Sequence, residues 1–187
     1  MGLRERKKQE TRRALSDAAL HLAVERGLEH VLVEDIAAAA NVSPRTFNNY
    51  FSSKQEAIAW RAVRHTTGAA DLLRERPADE PLWEAVTNAV LAQPVEAPAD
   101  GVRRILRDPA LRGEFLKTYH AAERELAAAI AERTGTDVQR DMRPRLVAGA
   151  VSLAQRIALE HWLHAETPGR PGELLRQALT ELREGLS

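Results

Sequence analysis

The segment Val33 to Lys54, VEDIAAAANVSPRTFNNYFSSK, constrains this chain more than any other, because it spells two short helices joined by a tight turn. Val33, Ile36, Ala37 and Ala40 recur at helical spacing and give the first helix one buried face, and the alanine run lets a crossing helix come close. Asn41 supplies the break, being among the few non-glycine residues that tolerate a left-handed backbone. Ser43 is suited to an N-cap and Pro44 to the first helical position, so a new helix is expected to begin there. At about 3.6 residues per turn, Phe47 and Phe51 fall on one face of that helix and Arg45, Asn48 and Asn49 on the other.

The two faces carry different chemistry. The aromatic face is core, whereas Arg and Asn are the side chains that pair bidentately with guanine and adenine edges in the major groove. They sit near the N-terminal end of the second helix, where helix-turn-helix proteins read bases. Thr46 and Tyr50 flank that face with hydroxyls able to bind phosphate, and Lys54 follows as a further phosphate candidate. An amphipathic helix that simply turns a polar face to water has the same pattern.

In its motifs the segment from about Arg12 to Ala59 resembles the N-terminal DNA-binding domain of TetR-family transcriptional regulators. The resemblance rests on a first helix ending in AVERGLEH, the VEDIAAAANVS block, the PRTFNNYF recognition helix and the SSKQEAI start of a fourth helix. Three positions depart from the family pattern. Leu32 stands where a capping Thr is usual, Asn41 replaces the usual turn glycine, and Asn48 replaces a frequent aromatic on the reading helix. The resemblance implies an all-α protein: an N-terminal three-helix helix-turn-helix domain fused through a long helix to a C-terminal helical ligand-binding and dimerisation domain. The boundary is expected at 52/53, giving domains 1–52 and 53–187. DNA-contacting candidates are Ser43, Arg45, Thr46, Asn48, Asn49, Tyr50 and Lys54.

Composition fits that class and removes others. A length of 187 residues allows one domain or two small ones. With no cysteine there are neither disulfides nor thiolate metal sites. A charged N-terminus and the lack of any apolar run of about 18 residues argue against a signal peptide or membrane span, so the expected compartment is the cytoplasm. Formal net charge is zero, but residues 1 to 13 set Arg4, Arg6, Lys7, Lys8, Arg12 and Arg13 against Glu5 and Glu10. That local excess of four positive charges suits phosphate neutralisation beside a DNA-reading motif, and equally a solvated terminus.

Beyond the head, periodicity and breakers predict only helices. The first runs from about 7 to 26 with Leu15, Ala18, Ala19, Leu22 and Ala23 as its buried stripe and Gly27 as its end. The fourth starts at Ser53, where Ser53 and Glu56 have capping-box spacing, and continues to about 76. Others are expected near 81–93, 102–107, 109–133 and 143–165, with PVEAPADG a loop and a closing helix after TPGRPG.

The helix near 143–165 carries two apolar stripes, Leu146, Ala150, Leu153 and Ile157 on one side and Val147, Val151, Ala154, Ala158 and Trp162 on another, so it needs two partners. The closing helix shows Leu174, Leu175, Ala178, Leu179 and Leu182. By the resemblance these two helices form a homodimeric four-helix bundle, with Leu146, Ala150, Leu153, Ile157, Leu174, Leu175, Ala178 and Leu182 at the interface. Two heads about one DNA turn apart, or a multiple of it, then require a pseudo-palindromic operator. The resemblance also implies a small-molecule cavity, for which Trp83, Val86, Phe115, Tyr119 and Trp162 are wall candidates and His120 and Glu123 polar contacts. Each aromatic also suits ordinary core packing.

No catalytic motif appears, and neither an enzyme nor a cofactor is expected. Glu160, His161 and His164 have a spacing that can hold zinc, yet no HExxH signature accompanies them, so no metal is assigned and an interface role fits better. Two functions remain: a ligand-released, homodimeric repressor, or a helical ligand-binding or protein-interaction module that has lost specific DNA reading.

Overall fold

The computed structural model describes residues 3–63, 68–93, 100–166 and 169–185, and every regular element among them is helical. The α-helices are α1 (Leu3–Arg26), α2 (Val33–Ala39), α3 (Pro44–Asn48), α4 (Lys54–Val63), α5 (Ala69–Arg74), α6 (Leu82–Leu91), α7 (Asp100–Leu106), α8 (Arg112–Thr134), α9 (Met142–His164) and α10 (Pro171–Glu184). Contacts divide the chain into two compact units, Met1–Val63 with Pro98–Leu116 and Arg64–Ala97 with Lys117–Ser187. These units do not divide at the expected 52/53. α4 belongs to the head because it packs along α1, and α7 joins the same unit. Of the helix expected over 53–76, α4 and α5 are seen, and residues 64–67 between them lie outside the described residues, as does most of the PVEAPADG loop.

The first unit is built around α1. Gly27 at φ 87° ends that helix, because a left-handed backbone there stops helical propagation, and a single 3-10 turn at Leu28–His30 leads to α2. Leu15, Ala19, Leu22 and Ala23 form the buried side of α1, which packs on α2 and α4, and Ile36, Ala37, Phe47, Phe51, Ala57 and Ile58 are buried in the same unit. Two polar ties hold α4 to α1: Ser16 Oγ donates to the Ala57 carbonyl at 2.6 Å, and Arg61 Nε donates to Asp17 Oδ1 at 2.5 Å. α7 approaches α1 closely at Gly101, where an added Cβ would meet Val24 Cγ1 at 2.8 Å. Ser53 caps α4 by accepting from the Glu56 amide at 3.0 Å, but the Glu56 carboxylate closes on Ser52 N and Oγ at 2.7 Å, one residue earlier than in a capping box.

The core of the second unit gathers small and aliphatic side chains, with Leu73 of α5, Val86 and Ala89 of α6, Leu126 and Ile130 of α8, Val151 and Ala154 of α9 and Leu179 of α10 all buried. Arg133 fastens the connection between α5 and α6, donating to the carbonyls of Arg76, Pro77 and Glu80. Glu80 accepts in turn from Arg76 Nε and Asn88 Nδ2, each at 2.7 Å.

Candidate nucleic-acid interface

The turn between α2 and α3 is closed by the backbone itself. Asn41 takes φ 54°, and its amide donates to the Ala38 carbonyl while that of Val42 donates to Ala37 at 2.9 Å, a Schellman closure of α2. α3 then begins as its residues dictate: Ser43 Oγ accepts from the Thr46 amide at 3.1 Å, and Pro44 occupies the first turn. Ser43 Oγ and Thr46 Oγ1 lie 2.9 Å apart, so these two hydroxyls already serve one another. α3 is only five residues long, but the Phe51 amide still reaches the Phe47 carbonyl at 3.0 Å and keeps both aromatics on one side. Phe47 and Phe51 are buried with ring centroids 5.8 Å apart, while Arg45, Asn48 and Asn49 are exposed on the opposite side. The aromatic anchor thus leaves three polar side chains, Arg45, Asn48 and Asn49, facing solvent.

Around this face the cations behave differently from one another. Lys54 Nζ donates to the carbonyls of Val31 at 2.7 Å and Glu29 at 3.3 Å, tying the start of α4 to the loop before α2. An ammonium has three donors, and these two carbonyls take two of them. Tyr50 is half-buried. Arg6, Lys7, Lys8 and Arg13 are exposed along α1, so the described part of the basic segment is helical and its charges spread around much of the helix. Arg12 is the exception. Its guanidinium carbon lies 5.3 Å from the Phe51 ring centroid and 5.0 Å from that of Trp60, and its Nε is buried without a hydrogen-bond partner. Burial pushes its pKa down, opposed by the charge of Glu56. Counting Arg12 with the tail overlooked its helical spacing of three and four from Leu15 and Ser16, which places it on the buried stripe.

In the second unit the ligand-wall candidates are dispersed. Val86 is wholly buried in the core, and Trp162 is buried with Nε1 donating to the Gly169 carbonyl at 3.0 Å. Tyr119 is buried, and desolvation raises its phenol pKa above the ordinary value, with the Glu160 charge adding to the rise. Trp83 is half-buried beside a hollow of about 150 Å³ between α6 and α10, shared with Thr87, Leu179 and Arg183. Glu123 borders a different hollow of about 360 Å³ with Arg140, Arg145 and Leu146. His120 is exposed; Phe115 is half-buried and belongs to the first unit.

α9 divides its two stripes as its periodicity requires. Val151, Ala154, Ala158 and Trp162 are buried, with Val147 half-buried, whereas Leu146, Leu153 and Ile157 are 66, 40 and 48% exposed and Ala150 is half-buried. Met142, 77% exposed, extends the open stripe by one turn and was not among the sequence candidates. On α10, Leu174, Ala178 and Leu182 pack partly against the core. Leu175 is corrected: it is buried inside its own unit beside Leu179, because it lies about 100° around the helix from Leu174. Glu160 pairs with Arg156 at 3.4 Å, and His164 Nδ1 lies 2.8 Å from the Glu160 carbonyl. Among the described residues no three His, Cys, Asp or Glu side chains gather as a metal would need, and no helix is long and apolar enough to cross a membrane.

The sequence pattern of bacterial regulatory proteins of the tetR family matches residues 15–58, and that of the MftR C-terminal domain matches residues 80–187. The chain belongs to the TetR family. It is 35% identical over 179 residues to the HTH-type transcriptional regulator TcmR of Streptomyces glaucescens, covering 89% of this chain and 79% of that one. It is 30% identical over 169 residues to the proposed mycofactocin biosynthesis transcriptional regulator MftR of Mycobacterium tuberculosis, covering 87 and 84%. A TetR-family regulator structure from Syntrophomonas wolfei shares the fold, with a TM-score of 0.60 at 17% identity over 96% of this chain and 98% of its own.

As a TetR-family transcriptional regulator, the chain has the all-helical architecture that its motifs implied, with the helix-turn-helix inside the first matched region. The family departures have local consequences. Asn41 supplies the left-handed turn without glycine, and Leu32 precedes α2 with no side-chain cap and 59% of its surface exposed. Asn48 stands in solvent on the polar face of α3.

Proposed function

We propose that this TetR-family regulator is a homodimeric repressor that grips a pseudo-palindromic operator through α3 and releases it when a small molecule occupies its C-terminal helices. The observation that carries the reading is the solvent-facing set Arg45, Asn48 and Asn49 on a helix whose opposite face is locked by Phe47 and Phe51. What favours base reading over mere solvation is that these Arg and Asn side chains lie near the N-terminal end of the second helix of a helix-turn-helix in a TetR-family chain. Arg45 and Asn49 read base edges, Asn48 adds a contact particular to this chain, and Tyr50 and Lys54 bind phosphate together with the exposed cations of α1. Ser43 and Thr46 shape the start of the helix and offer their remaining lone pairs and donors near the backbone. The open stripe of α9 supports pairing of two copies through α9 and α10. Effector contacts are assigned to the second unit, with Trp83, Tyr119, Glu123 and Trp162 foremost and Val86 and His120 supporting, while Phe115 falls in the first unit. The activity is binding, not catalysis, and its place is the cytoplasm, where the DNA is.

Gel shift on DNA from the chain's own promoter region tests this. Arg45→Ala or Asn49→Ala should weaken specific binding about 5- to 150-fold, the equivalent of about 1–3 kcal/mol for a bidentate base contact, and relax preference at one base pair. Tyr50→Phe and Lys54→Ala should instead weaken binding to all sequences alike. Weak, sequence-indifferent binding by the unaltered protein would leave only the interaction-module reading.

A further inference from the structure

Among the described cations of the basic segment, Arg6, Lys7, Lys8, Arg12 and Arg13, Arg12 is the one that is not exposed. Its guanidinium stands over two rings from different elements: Phe51, which ends the turn after α3, and Trp60 in the middle of α4. Those rings meet each other edge-on, 6.2 Å apart at 62°, and Phe51 continues to Phe47, the buried anchor of the reading helix. The series Arg12, Trp60, Phe51, Phe47 is therefore continuous from α1 through α4 to α3. Buried Nε has no hydrogen-bond partner, so the group is held there by the ring faces and by the charge of Glu56, not by a specific acceptor. Glu56 is itself fixed by Ser52 at the joint between the α3 turn and α4.

The other ties between α1 and α4, Ser16 to Ala57 and Asp17 to Arg61, reach no part of α3. Arg12 alone among these three α1 residues also touches the aromatic support of the reading face. We infer that Arg12 is a positioning residue for operator recognition: it sets the angle between α3 and α4 from inside the head, and its charge is not spent on DNA. The inference rests on the DNA-reading role proposed above for α3. A planar guanidinium can lie against both rings at once, which a lysine ammonium reproduces only in part.

The test compares Arg12→Met, Arg12→Lys and, as a surface control, Arg13→Ala, using a duplex selected by the unaltered protein from random DNA and an unrelated duplex of equal length. Arg12→Met should weaken binding to the selected duplex about tenfold, the scale of a partly desolvated cation–π contact, with little change on the unrelated duplex. Its slope of log affinity against log salt should match the unaltered protein, whereas Arg13→Ala should flatten the slope by about 0.9 if it neutralises one phosphate. Arg12→Lys should recover part of the lost discrimination. Equal losses on both duplexes with a slope flattened by about 0.9 would make Arg12 a phosphate contact and overturn the inference. Unchanged discrimination in a folded Arg12→Met protein would overturn it as well, and if that variant fails to fold, the same criterion applies to Arg12→Lys. Failure of the unaltered protein to select any duplex would instead count against the α3 reading itself.

Discussion

At Leu32 a helix begins on a residue that cannot cap it. The side chain accepts no amide proton from the first turn of α2, and much of its surface lies in water, so it contributes neither a cap nor much burial. Glu34 and Asp35 in the first turn favour the positive end of the helix dipole, which explains why α2 forms regardless. Leu32→Thr should place a hydroxyl within reach of the Asp35 amide and stabilise the head by about 1 kcal/mol. In a chain of this size that corresponds to a rise in Tm of about 2–4 °C, measurable by thermal denaturation. An unchanged or lower Tm would mean that the exposed leucine makes a contribution the cap does not replace. Residues of this kind were legible in the sequence because their effects are local: Asn41, Ser43 and Pro44 each do what their own backbone preferences dictate. Arg12 was not, since its rings come from residues 39 and 48 positions further along the chain and only packing brings them together.

Between helices, the connection from α5 to α6 depends on charge more than on apolar contact. Hydrogen bonding from Arg76, then from Asn88, with the positive fields of Arg76 and Arg133, holds the Glu80 carboxyl down to about 2 from its ordinary 4.5. A carboxyl whose folded pKa lies below its unfolded one favours the fold above the unfolded value and loses that contribution as pH falls toward the folded value. Glu132 is shifted in the same direction by Arg74. Stability of the second unit should therefore decline between about pH 4.5 and 2, and Glu80→Gln should flatten that acid limb while lowering stability at neutral pH. Urea denaturation across this range checks both; an acid limb as steep in the variant as in the unaltered chain would assign the pH dependence elsewhere. Helix positions were readable from spacing, caps and breakers, but this clamp was not, because Arg133 reaches back more than fifty residues to its carbonyl acceptors. The same limit hid the placement of α4 with the head: its amphipathic pattern declared a buried face without saying that α1 would cover it.

For the assembled molecule, the open stripe of α9 restricts how two copies can meet. Its members Met142, Leu146, Ala150, Leu153, Ile157 and His161 are spaced symmetrically about the point between Val151 and Ser152. In the proposed dimer, a two-fold axis through that point with the two α9 helices antiparallel sets Leu146 against the partner's Ile157 and Ala150 against the partner's Leu153. Small then faces large at the centre, and large faces large on either side. Towards the ends, Arg143 comes on the same side as the partner's Glu160, opposite charges in a self-complementary arrangement. Parallel pairing would instead bring Arg143 and Arg145 beside their own copies. Because the chain has no cysteine, introduced thiols report the register without background. A mixture of Leu146→Cys and Ile157→Cys chains should yield disulfide-linked dimers on mild oxidation, whereas either variant alone should yield few, since a disulfide needs Cα atoms within about 7 Å. Light scattering of the unoxidised protein separates the possible failures. A dimer that cross-links from Leu146→Cys alone has a different register, while a monomer at micromolar concentration would contradict pairing through α9 altogether. Leu153→Glu should act on assembly by placing a charge at the centre of the apolar stripe, and because its side chain is exposed in the single chain, it should split the dimer while leaving the fold of each copy intact.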